Sequence, residues 1–318
     1  MFFLQIRMMF LVAFLFAIVY AIIAMAGAYL GVQDFVLYAV AAFVVMIIQY
    51  AVSPKLVEWT MRVRYVGKSQ YPRLFEMVQR LAMNAEISMP RVGIAQINIP
   101  NAFAFGRGVR DGRVCVTERL LELLSDEELK AVLGHEISHI KNRDMVTISL
   151  LSVIPMIMYW IYWRFFWFGS RRDRGSNAAL IGMAAFVFYL ISNLLVLYGS
   201  RVREYFADRG AIKLGISPSN LASALFKLVY GAARIDRESL QQVEGLKAFF
   251  ASDPSAAARE IRELKALDRD RSGSIEPSEL AALRSKDIRV SFGERILELY
   301  STHPNMLKRI KQLSSYIA

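Results

Sequence analysis

Three residues within one short run have the types and spacing for hydrolytic chemistry. In Gly134-His135-Glu136-Ile137-Ser138-His139 two histidines stand four positions apart. On a helix that spacing puts both imidazoles on one face, about one turn apart, so both can reach one zinc ion. Glu136, next to the first histidine, would lie beside the remaining coordination position and could take a proton from a water held there. The chain has only 3 histidines, and two of them fall at this spacing.

The run needs a helix to carry it. Ser125 with Glu128 three residues on predicts a capping box. The helix it opens has Leu129, Val132, Leu133, Ile137 and Ile140 as its apolar positions. Ahead of it, Arg91–Ala95, Asn101–Gly106 and Arg113–Thr117 have the composition of strands, and the Asp111-Gly112 pair predicts a tight hairpin before the last. A catalytic zinc also needs a third protein ligand and an open position. Glu204 is the candidate, with Asp208 one turn further on to orient a ligand imidazole. Spacing alone leaves these two acids equally readable as an exposed pair flanked by Arg201 and Arg209. His303, before Pro304, reads from spacing alone as an ordinary loop histidine.

These elements belong to a chain of 318 residues that is 55% hydrophobic and 21% charged. That composition excludes a disordered chain and exceeds the apolar share of an ordinary soluble enzyme. The single cysteine, Cys115, excludes an internal disulfide. Four stretches lack any Asp, Glu, Lys, Arg or His: 8–33, 35–54, 145–163 and 175–200. Each is long enough to approach the roughly 20 residues that cross a bilayer. The first could imitate a signal peptide, but its apolar core is too long and a second span follows at once. The third ends in Trp160-Ile161-Tyr162-Trp163, an aromatic-belt composition, and with the fourth could form a shallow or re-entrant hairpin. Lys55, Arg62, Arg64 and Lys68 follow the second span, Lys130, Lys141 and Arg143 precede the third, and Arg201, Arg203, Arg209 and Lys213 follow the fourth. The positive-inside rule therefore faces both polar regions to the cytoplasm, against an opposing loop with Arg171, Arg172 and Arg174. The net charge of +11 is spread along the chain, so it points to anionic lipid and not to nucleic acid.

With these motifs in order, the sequence resembles the HtpX-type membrane zinc metalloproteases, relatives of the CAAX prenyl endopeptidases. The resemblance is carried by Pro100-Asn101-Ala102-Phe103-Ala104, His135-Glu136-Ile137-Ser138-His139-Ile140-Lys141-Asn142, Glu204-Tyr205-Phe206-Ala207-Asp208 and Ser301-Thr302-His303-Pro304. It implies His135, His139 and Glu204 as zinc ligands, Glu136 as catalytic base and His303 as the residue that hydrogen-bonds the oxyanion. Arg309 could brace Asp208 or the same oxyanion. Asn101, Ala102, Phe103, Ala104 and Phe105 resemble the family's edge strand, which would bind an extended substrate backbone by adding a strand. The resemblance implies substrates that are misfolded or abnormal membrane proteins, and a place in protein quality control.

A second motif lies outside that pattern. Asp268, Asp270, Ser272, Glu276 and Glu279 match the side-chain positions of a twelve-residue EF-hand loop, with Ser274 offering its carbonyl and Gly273 at the sharp turn. Calcium is the ion such a loop would take, although Arg269 and Arg271 offset part of its charge and only one copy is present.

The expected architecture is an α+β membrane protein: a mainly helical gluzincin-type zinc protease domain with a small β-sheet, plus four transmembrane helices. Residues 1–53 would form one transmembrane hairpin and 145–200 a second. The catalytic domain would be split between 54–144 and 201–318, with the EF-hand-like insert over about 255–287. A prenyl-protein processing zinc protease is the nearer alternative, though such proteases have more spans enclosing a chamber. A calcium-responsive membrane protein with a non-catalytic zinc site is the more distant one, and Cys115 would make it a poor fourth ligand. Oligomeric state has no signature in the sequence.

Overall fold

The structure, a computed structural model, describes residues 40, 51–163, 165, 176–232, 264, 267–270, 272–285 and 292–317. The two spans expected over 8–33 and 35–54 lie outside the described residues except at 40 and 51–54. Of the EF-hand-like insert expected over about 255–287, only residues 264, 267–270 and 272–285 are described.

The chain divides into two compact units, Met1–Ser53 with Val146–Gly199 and Pro54–Met145 with Ser200–Ala318. The second unit is organised around a sheet of four strands: β1 (Val63–Tyr65), β2 (Arg91–Ala95), β3 (Ala102–Phe105) and β4 (Arg113–Thr117). Their order is β1-β2-β4-β3, so β3 is an edge strand of this sheet. β2 and β4 run parallel, while β1 and β3 pair antiparallel with their neighbours. All five residues of β4 are buried, as a central strand of β-branched character requires.

The hairpin expected at Asp111-Gly112 is corrected by the structure. β3 and β4 do form an antiparallel pair, but they are joined by residues 106–112, which include a 3-10 turn at Val109–Asp111. Gly112 has φ −66°, outside the left-handed region a two-residue turn would need. Its smallness serves packing instead: a Cβ there would lie 2.9 Å from Ile140 Cγ2. The glycines of this loop with positive φ are Gly106, at 143°, and Gly108, at 149°.

Besides the helical residues 51–60, the described residues form nine helices: α1 (Pro72–Asn84), α2 (Glu118–Leu123), α3 (Asp126–Lys141), α4 (Asp144–Trp163), α5 (Ser176–Lys213), α6 (Pro218–Ala232), α7 (Pro277–Leu283), α8 (Phe292–Leu299) and α9 (Met306–Ser314). The buried face of α3 (Leu129, Val132, Leu133, Ile137, Ile140) forms one core with Val78 and Leu81 of α1 and Leu225 of α6. Ile310 and Leu313 of α9 complete that core. α3 packs on α1, α6 and β3. The helix carrying the two histidines is thus held on several sides by apolar burial.

In the other unit, Leu151, Ile154 and Met158 of α4 pack with Val196 of α5. Among the described residues one helix, over Leu180–Lys213, is long and apolar enough to cross a membrane. Leu180, Met183, Val187, Leu190, Ile191 and Tyr198 are exposed along it, at spacings that keep them on one helical face. α4 is a 20-residue helix with Pro155 inside it.

Candidate active site

α3 begins where its capping chemistry says it should. The Ser125 hydroxyl accepts from Glu128 N and the Glu128 carboxylate accepts from Ser125 N at 2.8 Å. The same carboxylate accepts from Ser223 Oγ at 2.7 Å and from Lys227 Nζ at 2.8 Å, which ties the start of α3 to α6. At the other end Arg143 sits at φ 57°, an uncommon conformation for a side chain of its size. That residue turns the chain so that Asp144 lies back against α3.

The two imidazoles meet a carboxylate from α5. His135 Nε2 and His139 Nε2 are 3.1 Å apart, Glu204 Oε2 is 3.5 Å from the first and Glu204 Oε1 is 3.5 Å from the second. All three side chains offer ligand atoms within 4.8 Å of one another. Ligands 2.0–2.1 Å from a shared tetrahedral centre stand roughly 3.3 Å apart, so this donor set has the dimensions and chemistry of a zinc site. A close approach of helices makes it possible. A Cβ on Gly210 of α5 would fall 1.8 Å from Ser138 Oγ of α3, so only glycine lets the two helices come this near.

The outer nitrogens of both histidines are held by acids. His135 Nδ1 lies 2.9 Å from Asp208 Oδ1, and His139 Nδ1 lies 2.7 Å from Asp144 Oδ2. Each acid has an arginine: the wholly buried Arg309 donates to both Asp208 oxygens, at 2.9 and 2.7 Å, and Arg203 Nε is 3.0 Å from Asp144 Oδ1. Arg309 also places Nη1 3.0 Å from Glu204 Oε2. These contacts fix ring orientation and turn each Nε2 toward the cluster. They also make the cavity favour a cation. Burial disfavours a charged His139, yet hydrogen bonds to Asp144 and Glu204 outweigh it and push its pKa up to about 10. Burial likewise works against the Arg309 charge and is outweighed by Asp208 and Glu204, which raise its pKa.

His303 is buried with Nδ1 3.4 Å from Glu204 Oε2, and neither ring nitrogen has a hydrogen-bond partner among the described residues. Its loop is pinned to α5: Arg201 Nη1 donates to the carbonyls of Glu298, Leu299 and Ser301 at 2.7, 3.1 and 2.7 Å. Beyond it Asn305 caps α9, which brings Arg309 inward. Glu136 is buried on α3 beside His135. β3 packs against α3. Thr117 N donates to Asn101 O, so residues 101, 103 and 105 turn their backbone groups to β4 and the alternation turns those of Ala102 and Ala104 to the open edge.

A scan against protein families matches residues 68–317 to Peptidase family M48. The chain belongs to peptidase family M48. It is a metalloprotease, and the family is zinc-dependent, in keeping with the His-His-Glu cluster. A Protease HtpX homolog of Methanothermobacter thermautotrophicus is 50% identical over 226 residues, 71% of this chain and 86% of the relative. Protease HtpX homolog 2 of Methanosarcina mazei is 34% identical over 314 residues, 98% of this chain and 94% of the relative. The crystal structure of S. mikatae Ste24p covers 88% of this chain and 58% of its own, at 18% identity and a TM-score of 0.46.

Three charged residues of this M48 peptidase's site were not singled out from sequence as parts of it: Asp144, Arg203 and Arg201. Asp144 carried a signal, an acid five residues after His139 at the start of the next helix. The two arginines read only as flanking charge. Cys115 is wholly buried in β4 and is not part of the cluster.

In the EF-hand-like loop, Asp268, Asp270 and Glu279 have carboxylate oxygens within 4.8 Å of one another. Asp268 and Asp270 each accept from Ser272 N at 2.9 Å, and Gly273 turns at φ 78°. Glu279 accepts from Arg269 N at 2.6 Å and Glu276 N at 3.1 Å, and Ser272 Oγ donates to Ser274 O at 3.3 Å. Glu276 is exposed and stands outside the three-carboxylate group.

Proposed function

We propose that this M48 peptidase is a multi-pass membrane endopeptidase in which His135, His139 and Glu204 hold the zinc. The observation that carries the reading is the pair of histidine Nε2 atoms 3.1 Å apart, both facing the Glu204 carboxylate. Zinc bound there supplies Lewis acidity, which polarises a peptide carbonyl and makes water a better nucleophile near neutral pH. Glu136 takes a proton from the attacking water and delivers it to the leaving amine. The His303 imidazole donates to the developing oxyanion, a role its otherwise unpartnered ring nitrogens suit. Ala102 and Ala104 bind the substrate backbone as an added strand. That mode reads backbone more than side chain and suits varied polypeptides, among them misfolded membrane proteins.

The four uncharged stretches are the spans of this reading, with the divided catalytic domain, 54–144 and 201–318, on the cytoplasmic side. Its support is the excess of Lys and Arg beside the second, third and fourth stretches. The test is Glu136→Ala in the full chain in proteoliposomes. The variant should keep one zinc per chain and lose cleavage of a membrane-anchored substrate. Undiminished cleavage would overturn the assignment of Glu136.

A second reading concerns the loop at 268–279, which we propose takes calcium through Asp268, Asp270 and Glu279 with Ser272, Ser274 and Glu276 at its rim. The convergence of three carboxylates supports it. Calcium titration of the full chain against Asp268→Ala decides it, since a heat signal common to both proteins would place binding elsewhere.

A further inference from the structure

α8 is an amphipathic helix turned the wrong way round for a water-soluble surface. Such a helix ordinarily presents its apolar stripe to the core and its charges to solvent. Here Ile296 and Leu299, with Tyr300 directly after the helix, are 42%, 49% and 67% exposed at spacings of three and four, and Leu297 beside them is exposed too. The side turned inward carries Glu298, which accepts from Asn305 N at 3.2 Å and pairs with Lys308. Helical spacing therefore sets the exposed Ile296 and Leu299 opposite the partly buried Glu298, and an exposed apolar cluster of this kind marks a surface for an apolar neighbour.

What covers it follows from Arg201. That residue is the first after the uncharged stretch 175–200, and its guanidinium donates to the carbonyls of Glu298, Leu299 and Ser301. The end of α8 is thus fastened to the point where the chain leaves the stretch read as the fourth span. Tyr300 and the exposed Arg295 are the amphipathic side chains that settle at the headgroup level of a bilayer. The exposed apolar stripe of α5 itself runs to Tyr198, three residues earlier in the chain.

We propose that α8 is an interfacial helix, lying with Ile296, Leu299 and Tyr300 in the headgroup–acyl boundary of the lipid surface. His303, three residues beyond Tyr300, is then held at the height where a polypeptide emerges from the bilayer. The partner is the lipid itself. The proposal rests on the reading of 175–200 as a span.

The experiment uses the full chain in phosphatidylcholine–phosphatidylglycerol liposomes, with nitroxide labels at Ile296→Cys, Leu299→Cys and Tyr300→Cys. Glu127→Cys, at a surface position of α3, is the water reference, and Val187→Cys on α5 is the membrane reference. Cys115 stays unlabelled because it is wholly buried and burial raises its thiol pKa. Collisions with oxygen relative to a water-soluble nickel complex should be several-fold more frequent at positions 296, 299 and 300 than at 127, and below those at 187. Values equal to 127 with a lipid-like 187 would overturn the interfacial helix and leave the span standing. Water-like values everywhere, 187 included, would overturn both. Labels immobilised and shielded from oxygen and nickel alike would show that protein, such as a second copy of this chain, covers α8, and would overturn the lipid assignment.

Discussion

Asp144 Oδ2 lies 2.7 Å from Nδ1 of His139, while its other oxygen faces Arg203 Nε at 3.0 Å. One carboxylate thus orients the His139 imidazole and is itself held by a guanidinium, the arrangement that Asp208 and Arg309 repeat around His135. Asp144→Asn should lower zinc affinity by roughly 10–100-fold, the usual cost of removing such an outer partner. Competition against a chromophoric chelator measures it. An affinity equal to that of the parent protein would mean that His139 needs no such orientation.

Arg309 is wholly buried between two acids. Arg309→Met would remove the guanidinium that pairs with both Glu204 and Asp208, and breaking a buried pair in this way costs roughly 3–5 kcal/mol. Arg309→Lys should recover only part of the loss, since one ammonium cannot reproduce the parallel donors from Nε and Nη2. Unfolding in detergent with zinc removed reads the effect apart from metal stabilisation. Full recovery by lysine would argue that charge alone matters there.

The 1.8 Å gap between a Cβ on Gly210 and Ser138 Oγ leads to a paired test. Gly210→Ala should force α5 from α3, cost about 1–3 kcal/mol as overpacking does, and weaken zinc binding with it. Adding Ser138→Gly removes the clashing atoms and should restore zinc affinity, though a second helical glycine keeps stability below the parent's. If the double variant binds zinc as poorly as the single one, helix approach is not what Gly210 secures.

Glu128 offers a pH test away from the metal. Burial would raise its pKa, but hydrogen bonds from Lys227, Ser223 and Ser125 outweigh that and hold it below the ordinary glutamate value. A depressed folded-state pKa stabilises the fold above the unfolded value of about 4.3 and ceases to do so as pH falls through the folded one. Glu128→Gln should therefore lower stability at neutral pH by about 1–3 kcal/mol. The difference from the parent should close in acid, below about pH 4. A difference independent of pH in denaturant melts would assign the loss to packing.

What the sequence alone determined was local. The capping box at Ser125 and the apolar periodicity of α3 depend on neighbours a few residues away, and so does the placing of His135 and His139 on one face. The β-branched runs of β2 and β4 were legible for the same reason. Even there the Asp111-Gly112 signal misled, because Gly112 is small to admit Ile140, a contact made across the fold. Tertiary structure decided the rest. Spacing could not tell Glu204 and Asp208 from an exposed acidic pair; the approach of α5 to α3 at Gly210 brings them to the histidines. The turn at Arg143 brings Asp144 to His139, and Arg309 reaches Asp208 across 101 residues of chain. Such contacts are set by which apolar faces must be buried together, and charges are then paired wherever that packing leaves them. α8 is the converse case: its pattern is amphipathic in sequence, but only the fold shows that its apolar side faces out.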